Sequence, residues 1–218
     1  MHIYKGLLFD LDGVLVDTAK YHFLAWKQLA DRLGIPFTEK DNERLKGVSR
    51  MASLEILLAL GHMEMTQAEK ERCCAEKNQI YIQSISLLRE DELFPGVRCF
   101  LEDARAKGYR TALGSASKNS PMILERLRIT SLFDAIIDGN LVSRAKPDPE
   151  VFTAGAKALG LSPDACIVFE DAAAGIEAAH RGGMKAVGVG TPEALPEADL
   201  HITGFASVTA DEIAAKLS

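Results

Sequence analysis

The stretch GLLFDLDGVLVDT, residues 6–18, has the pattern of a buried β-strand that ends in two closely spaced carboxylates, Asp10 and Asp12. A carboxylate is costly to desolvate unless it is paired, hydrogen-bonded or bound to a metal. Residues 6–18 contain no lysine or arginine that would pair with these two side chains. The pattern leaves two interpretations: the carboxylates lie in solvent at a loop, or a positive group is brought to them.

The composition is that of an ordinary globular protein. Apolar residues make up 47% and charged residues 26% of the 218 residues, enough for one large domain or two smaller ones. The net charge of −6 argues against a general nucleic-acid-binding surface. No run approaches the ~20 apolar residues of a membrane-spanning helix, and a secretory signal is not evident. We therefore expect a cytoplasmic protein that binds neither nucleic acid nor membrane.

Four later apolar runs end in Gly, Ser or Asp, as buried parallel strands do. They are TALGSAS (111–117), AIIDG (135–139), CIVFEDA (166–172) and KAVGVGT (185–191). Helical patterns with N-terminal signals, such as Thr209 with Glu212, lie between or after them. This alternation predicts an α/β fold, a doubly wound parallel sheet with a Rossmann-like core.

One interval interrupts the alternation. From about Thr18 to Arg89 the apolar spacing is helical, and Thr66 with Glu69 offers a capping box. The segment DELFPGV (91–97) is the expected return to the sheet. We predict a helical cap domain at residues 17–90, inserted into a catalytic core of residues 1–16 and 91–218.

Ligands of open α/β sheets bind outside the carboxyl ends of the strands. That rule collects Asp10, Asp12, Ser115, Glu170 and Asp171, with Lys146 entering from the loop segment RAKPDPEVF. Carboxylates crowded together need a cation, and hard oxygen ligands suit Mg²⁺. A carboxylate beside Mg²⁺ and a lysine can attack phosphorus to form an aspartyl phosphate, and a second carboxylate can move protons.

Simpler interpretations exist for several of these residues, and for two residues of the helical interval. An acidic pair at a strand end is usually solvated, Asp171 would be a good helix cap, and Lys146 would be an ordinary surface lysine. His22 and Trp26, four residues apart on a predicted helix, would pack in a core. The occurrence of polar residues at successive strand ends favours the functional interpretation.

The order DLDGVLVDT, GSAS, KPDPEVF and EDAAAGIEAA, from residue 8 to about 180, resembles the four motifs of the haloacid dehalogenase superfamily. The resemblance implies that Asp10 is the nucleophile, that Asp12 is the general acid/base, and that Ser115 and Lys146 hold the transferring phosphoryl group. It also implies a Mg²⁺ site made by Asp10, the backbone carbonyl of Asp12, Glu170 and Asp171. The acid at position 12 favours phosphate esters as substrates, because the dehalogenases of the superfamily lack it.

Within the superfamily, TAKYHFLAW, LKGVSRMASLEILL and SASKNSP resemble the β-phosphoglucomutase group. This closer resemblance implies that Thr18 and His22 support acid/base alignment and cap closure, and that Arg50 binds the phosphate that is not being transferred. The substrate-binding residues implied in total are Trp26, Lys46, Gly47, Val48, Ser49, Arg50, Lys77, Ser115, Ala116, Ser117, Lys118, Asn119 and Lys146.

The resemblance implies a Mg²⁺-dependent mutase that interconverts β-glucose 1-phosphate and glucose 6-phosphate. Phosphorylated Asp10 would donate to the substrate, and glucose 1,6-bisphosphate would be the intermediate and the primer. We expect a monomer whose only partner is the small phosphosugar. Two alternatives stay open: a sugar-phosphate phosphatase, in which water takes the phosphoryl group, and a non-catalytic phosphosugar-binding module.

Overall fold

The structure is a computed structural model that describes residues 3–45 and 48–218. Lys46 and Gly47 of the predicted substrate loop lie outside the described residues. The chain divides into two compact units, one of Met1–Asp17 with Leu88–Ser218 and one of Thr18–Leu87.

The first unit contains a six-stranded parallel sheet with the order β3-β2-β1-β4-β5-β6. The strands are β1 (Gly6–Phe9), β2 (Arg110–Gly114), β3 (Ala135–Ile137), β4 (Cys166–Glu170), β5 (Lys185–Val189) and β6 (Leu200–Ile202). The predicted parallel α/β sheet is confirmed. Strand β6 was not predicted, because three residues with only Ile202 buried give no usable periodicity.

Nine α-helices lie in the described ranges. They are α1 (Ala19–Leu33), α2 (Glu39–Asn42), α3 (Arg50–Leu60), α4 (Gln67–Ile85), α5 (Val97–Ala106), α6 (Ser120–Arg126), α7 (Glu150–Ala158), α8 (Ala173–Arg181) and α9 (Ala210–Lys216). The capping boxes predicted at Thr66 with Glu69 and at Thr209 with Glu212 are both present. None of the helices described here is long and apolar enough to cross a membrane.

Strand alternation divides the core of the first unit between the two faces of the sheet. Leu8 of β1 and Val168 of β4 pack with residues of α7 and α8, among them Phe152 and Ile176. The next side chains along these two strands, Phe9 and Phe169, belong to a cluster of five phenylalanines. They are Phe9, Phe100, Phe133, Phe169 and Phe205, and the rings of Phe9 and Phe169 stack at 4.7 Å between centroids. Both faces are therefore covered, as a doubly wound sheet requires.

The register of β1 determines which residues share an edge of the sheet. Phe9 lies opposite Leu113 of β2 and Phe169 of β4. The backbone N–H of Asp10 then donates to the carbonyl of Phe169 at 3.0 Å. The residues that follow these three strands therefore leave the sheet at the same level.

The second unit consists, in its described part, of α1 to α4 and their connections. Its core contains Trp26, Leu29, Leu54, Leu57 and Cys73, all buried. Apolar residues at helical spacing thus form the expected helical core.

The phenylalanine cluster predicts a measurable loss of stability. Phe205→Ala deletes a buried ring that contacts the rings of Phe9, Phe100 and Phe169, and we expect a loss of about 3–5 kcal/mol in the free energy of unfolding. Urea denaturation followed by circular dichroism measures it, with the exposed Ile3→Ala as the matched control. An unchanged urea midpoint in Phe205→Ala would show that the ring does not stabilise the core.

Candidate active site

Three carboxylates meet where β1 and β4 end. Asp10, Glu170 and Asp171 each offer an oxygen, and these oxygens lie within 4.8 Å of one another. Asp10 is 7% exposed and Glu170 is 1% exposed, whereas Asp171 lies at the surface. The structure therefore brings together three of the four acids that the strand-end rule selected.

Lys146 reaches this cluster from its loop. Its Nζ lies 2.6 Å from Oδ1 of Asp10 and 2.5 Å from Oε1 of Glu170. The ammonium also lies 4.7 Å from the centroid of the Phe152 ring. The interpretation of Lys146 as an ordinary surface lysine is therefore wrong.

The charges in the cluster do not balance. Burial raises the pKa of Asp10 well above its usual value, against the opposing effect of Lys146, and the neighbouring acids raise it further. Burial of its carboxyl group and the charge of Glu170 raise the pKa of Asp171 to about 7, although the residue as a whole is exposed. Burial lowers the pKa of Lys146, but the carboxylates of Asp10 and Glu170 more than offset that and raise it. An all-oxygen cluster with surplus negative charge has the chemistry of a hard divalent cation site.

The start of α8 holds Glu170 in place. The N–H of Ala172 donates to Oε2 of Glu170 at 2.9 Å. A Cβ on Gly175, in the first turn of α8, would collide with the same carboxyl group, so a glycine is needed there. The N-cap residue of α8 is Ala172, and Glu170 supplies the carboxylate at this helix start, so the simpler interpretation of Asp171 as the helix cap does not hold.

The loop after β1 approaches the cluster closely at Gly13. This residue has a φ of 80°, a conformation that favours glycine, and a Cβ there would collide with the carboxylate of Asp171. Asp12 is half-buried, and its side chain is not one of the three clustered carboxylates. Its contribution of a backbone carbonyl to a metal stays a prediction.

The Lys146 loop is folded by two acids that the sequence analysis did not select. Glu150 accepts hydrogen bonds from the backbone N–H groups of Ser143 at 3.0 Å and Arg144 at 2.7 Å. Asp148 accepts one from the N–H of Glu150 at 3.0 Å. The acids of the KPDPE segment therefore shape the turn that carries the lysine.

The predicted phosphate-binding residues that follow β2 form one loop. Ser115 is buried, and its Oγ accepts a hydrogen bond from the N–H of Ser117 at 3.1 Å. The Oγ of Ser117 accepts in turn from the N–H of Asn119 at 3.3 Å. Ala116 and Lys118 are exposed, and α6 begins immediately after Asn119. We call residues 115–119 the phosphate loop.

In the second unit, His22 and Lys77 contact each other. The Nζ of Lys77, which is 2% exposed, lies 2.8 Å from Nδ1 of His22. An ammonium only donates, so Nδ1 accepts and the neutral ring carries its proton on Nε2. Burial lowers the pKa of His22 well below its usual value, and the charges of Lys77 and Arg50 lower it further. His22 also stacks on the ring of Tyr81 at 4.1 Å.

Trp26 packs in a hydrophobic core, which was the simpler of its two interpretations. It is buried in the helical core of this unit, as the packing alternative predicted. Its ring centroid also lies 5.0 Å from the Nζ of Lys77, which is within the range of a cation–π contact. A substrate-binding role for Trp26 stays a prediction.

The other predicted residues of this unit lie near helix starts. Arg50 donates from Nη2 to Oδ1 of Asn78 at 2.8 Å, and burial lowers its pKa. Ser49 is the N-cap of α3, Val48 is exposed, and Thr18 is the buried N-cap residue of α1. Asn78 was missed, although it follows Lys77 directly in the motif that was singled out.

The His22–Lys77 contact predicts a pH dependence. The folded-state pKa of His22 is depressed, so its stabilising contribution is complete above the usual value of 6.5 and is lost as the pH falls below it. We expect NMR of histidine-labelled protein to show a neutral His22 ring through pH 6.5. In Lys77→Met the pKa should rise, yet stay below 6.5 because burial persists.

A matched control for that titration is Lys70→Met, which removes a lysine of the same helix that pairs with Glu55. This variant should leave the His22 titration unchanged. Protonation of wild-type His22 at the ordinary histidine pH would contradict the assignment of Nδ1 as a buried acceptor.

Comparison with known proteins agrees with this geometry. The family model of the haloacid dehalogenase-like hydrolases matches residues 4–183. A β-phosphoglucomutase of Bacillus subtilis is 44% identical over 207 residues, covering 94% of this chain and 92% of the relative. A phosphorylated carbohydrates phosphatase of Thermotoga maritima is 33% identical, covering 84% of this chain and 83% of the relative.

Among solved structures, a β-phosphoglucomutase of Clostridium difficile superposes with a TM-score of 0.93 at 39% identity. The match covers 98% of this chain and 97% of that one. Because the family model spans most of the sequence, this chain belongs to the haloacid dehalogenase-like hydrolase family.

Proposed function

We propose that the protein is a β-phosphoglucomutase, which interconverts β-D-glucose 1-phosphate and glucose 6-phosphate. The observation that carries the proposal is the contact of Lys146 with both Asp10 and Glu170 inside the carboxylate cluster. Relatives named β-phosphoglucomutase match nearly the whole chain in sequence and in structure, which supports the choice of reaction.

Asp10 is the proposed nucleophile. Lys146 holds one oxygen of this carboxylate, which fixes the orientation of the group and offsets negative charge that would repel a phosphate. An oxygen of Asp10 bonds to phosphorus as the donor's ester bond breaks. In the reverse step, the acyl phosphate bond breaks as a sugar hydroxyl bonds to phosphorus.

Asp12 is the proposed general acid/base. It takes the proton of the attacking sugar hydroxyl and returns a proton to the departing sugar oxygen. Its position two residues after Asp10, in the loop that Gly13 allows to turn, supports the role. This assignment rests on the motif and on the loop.

The cluster fits Mg²⁺. Asp10, Glu170 and Asp171 would hold the ion with their carboxylates and Asp12 with its backbone carbonyl, and the surplus negative charge favours a cation there. When bound, Mg²⁺ supplies positive charge that offsets the phosphoryl oxygens and the carboxylates.

Two phosphate sites are part of the proposal. Ser115 and Lys146 bind the transferring phosphoryl group, while Arg50 with Ser117, Lys118 and Asn119 binds the other phosphate. A mutase needs both sites because its bisphosphate intermediate binds in two orientations. The proposed set of substrate contacts is completed by Trp26, Lys46, Gly47, Val48, Ser49, Lys77 and Ala116.

The unit Thr18–Leu87 is the proposed cap domain, close to the predicted residues 17–90. Thr18 and His22 would support acid/base alignment and cap closure, which protects the acyl phosphate from water. We further propose a cytoplasmic monomer that is primed by glucose 1,6-bisphosphate.

A sugar-phosphate phosphatase is the second candidate, and the similarity to the Thermotoga maritima phosphatase favours keeping it. It would use the same Asp10 chemistry, with water as the final acceptor of the phosphoryl group. The two reactions differ in their products, and one experiment separates them.

That experiment is phosphorus NMR of the protein with Mg²⁺, β-glucose 1-phosphate and a trace of glucose 1,6-bisphosphate. We expect glucose 6-phosphate to accumulate without inorganic phosphate. Stoichiometric inorganic phosphate would establish the phosphatase instead, and would overturn the proposed roles of the cap residues.

The role of Asp10 predicts a second result. Asp10→Asn replaces the nucleophile with an amide of the same size, and we expect turnover to fall at least ~10³-fold while the circular dichroism spectrum is unchanged. The matched control is Asp164→Asn, an exposed acid of the first unit, which should retain full activity. Activity of Asp10→Asn within tenfold of wild type would exclude a phospho-Asp10 mechanism.

A further inference from the structure

The end of β3 and the segment after it are hydrogen-bonded to the phosphate loop. The N–H of Ser115 donates to the carbonyl of Ile137 at 3.0 Å, and the N–H of Gly139 donates to the carbonyl of Ser117 at 3.3 Å. The Nδ2 of Asn140 donates to the carbonyl of Lys118 at 3.1 Å. Two segments that are more than 20 residues apart in sequence are therefore joined by three hydrogen bonds.

Asp138 holds Asn140 in position for this contact. It is 5% exposed, and its Oδ1 accepts the backbone N–H of Asn140 at 2.8 Å. Its Oδ2 accepts from Nδ2 of the same asparagine at 3.1 Å. One Nδ2 group thus donates to both the Asp138 carboxylate and the Lys118 carbonyl, which restricts the rotation of the asparagine side chain.

Gly139 provides a close backbone approach. A Cβ at this position would collide with the carbonyl oxygen of Ala116. Only glycine permits the two backbones to lie this close without one of them shifting. The carbonyls of Ala116, Ser117 and Lys118 therefore all meet the segment Asp138–Asn140.

We infer that Asp138, Gly139 and Asn140 form a positioning element that keeps the carbonyl oxygens of the phosphate loop away from bound phosphate. A carbonyl oxygen that faces a phosphate repels it, whereas N–H and side-chain donors attract it. Hydrogen bonds to Gly139 and Asn140 fix two of these carbonyls on the β3 side of the loop. The inference rests on the proposed function, because it assigns phosphate binding to residues 115–119.

The test measures equilibrium binding without turnover. All proteins carry Asp10→Asn, and isothermal titration calorimetry with glucose 6-phosphate and Mg²⁺ gives the dissociation constant. Adding Asn140→Ala should weaken binding about 10-fold, the effect of losing one loop-fixing hydrogen bond near a charged ligand. The matched control is Leu141→Ala, which truncates the next, exposed side chain and should leave the affinity unchanged.

A second variant tests the same element by crowding. Gly139→Ala should displace the Ala116 carbonyl and also weaken binding by about 10-fold or more. In proteins that retain the catalytic Asp10, both variants should raise KM by a similar factor while kcat stays within about threefold of wild type. A merely structural role would lower the melting temperature without this separation of KM from kcat.

The outcomes separate this inference from the proposed function. If the Asp10→Asn parent binds no glucose 6-phosphate, the proposed function fails and the inference fails with it. If the parent binds but Asn140→Ala and Gly139→Ala both bind within twofold of it, the inference alone is overturned. Weaker binding in both variants, with the control unchanged, supports the positioning role.

Discussion

The ammonium of Lys146, within 2.6 Å of Asp10 and Glu170, is the interaction on which the site depends. Two buried carboxylates at the ends of adjacent strands repel each other in a medium of low polarity, and a third lies beside them. The lysine offsets part of that repulsion, while the N–H of Ala172 binds the far oxygen of Glu170. The remaining negative charge is what makes the cluster suited to a divalent cation.

The centre of the sheet could be predicted from sequence because β1 and β4 are fully buried, largely apolar runs with clear ends. The strand-end rule also selected Asp10, Glu170 and Asp171, since parallel strands in register deliver their last residues to one edge. Lys146 was added to this set from the loop segment RAKPDPEVF, although a lysine in a loop carries no periodicity. Taken alone, each of these residues would have been ambiguous.

Other features could not be predicted from the sequence, for physical reasons. Strand β6 is too short to show alternation, and hydrogen bonds from loop backbone groups to Glu150 leave no trace in composition. The simpler interpretation of Asp171 as a helix cap could not be tested on sequence alone, because helix-capping chemistry does not distinguish two adjacent acids. Asp138 ends the run AIIDG just as Asp10 ends the first run, so the same rule would have found it if applied to every strand.

The strand order also constrains how the site forms during synthesis. Strand β1 lies between β2 and β4, so it pairs only with segments that follow more than 100 and more than 150 residues later. Pairings this distant in sequence are slow to form because long loops must close first. While the ribosome has not yet released Lys146 and Glu170, Asp10 lies on a chain that lacks its partners. The Asp10 carboxylate of a nascent chain therefore lacks these two partners until translation has passed Glu170.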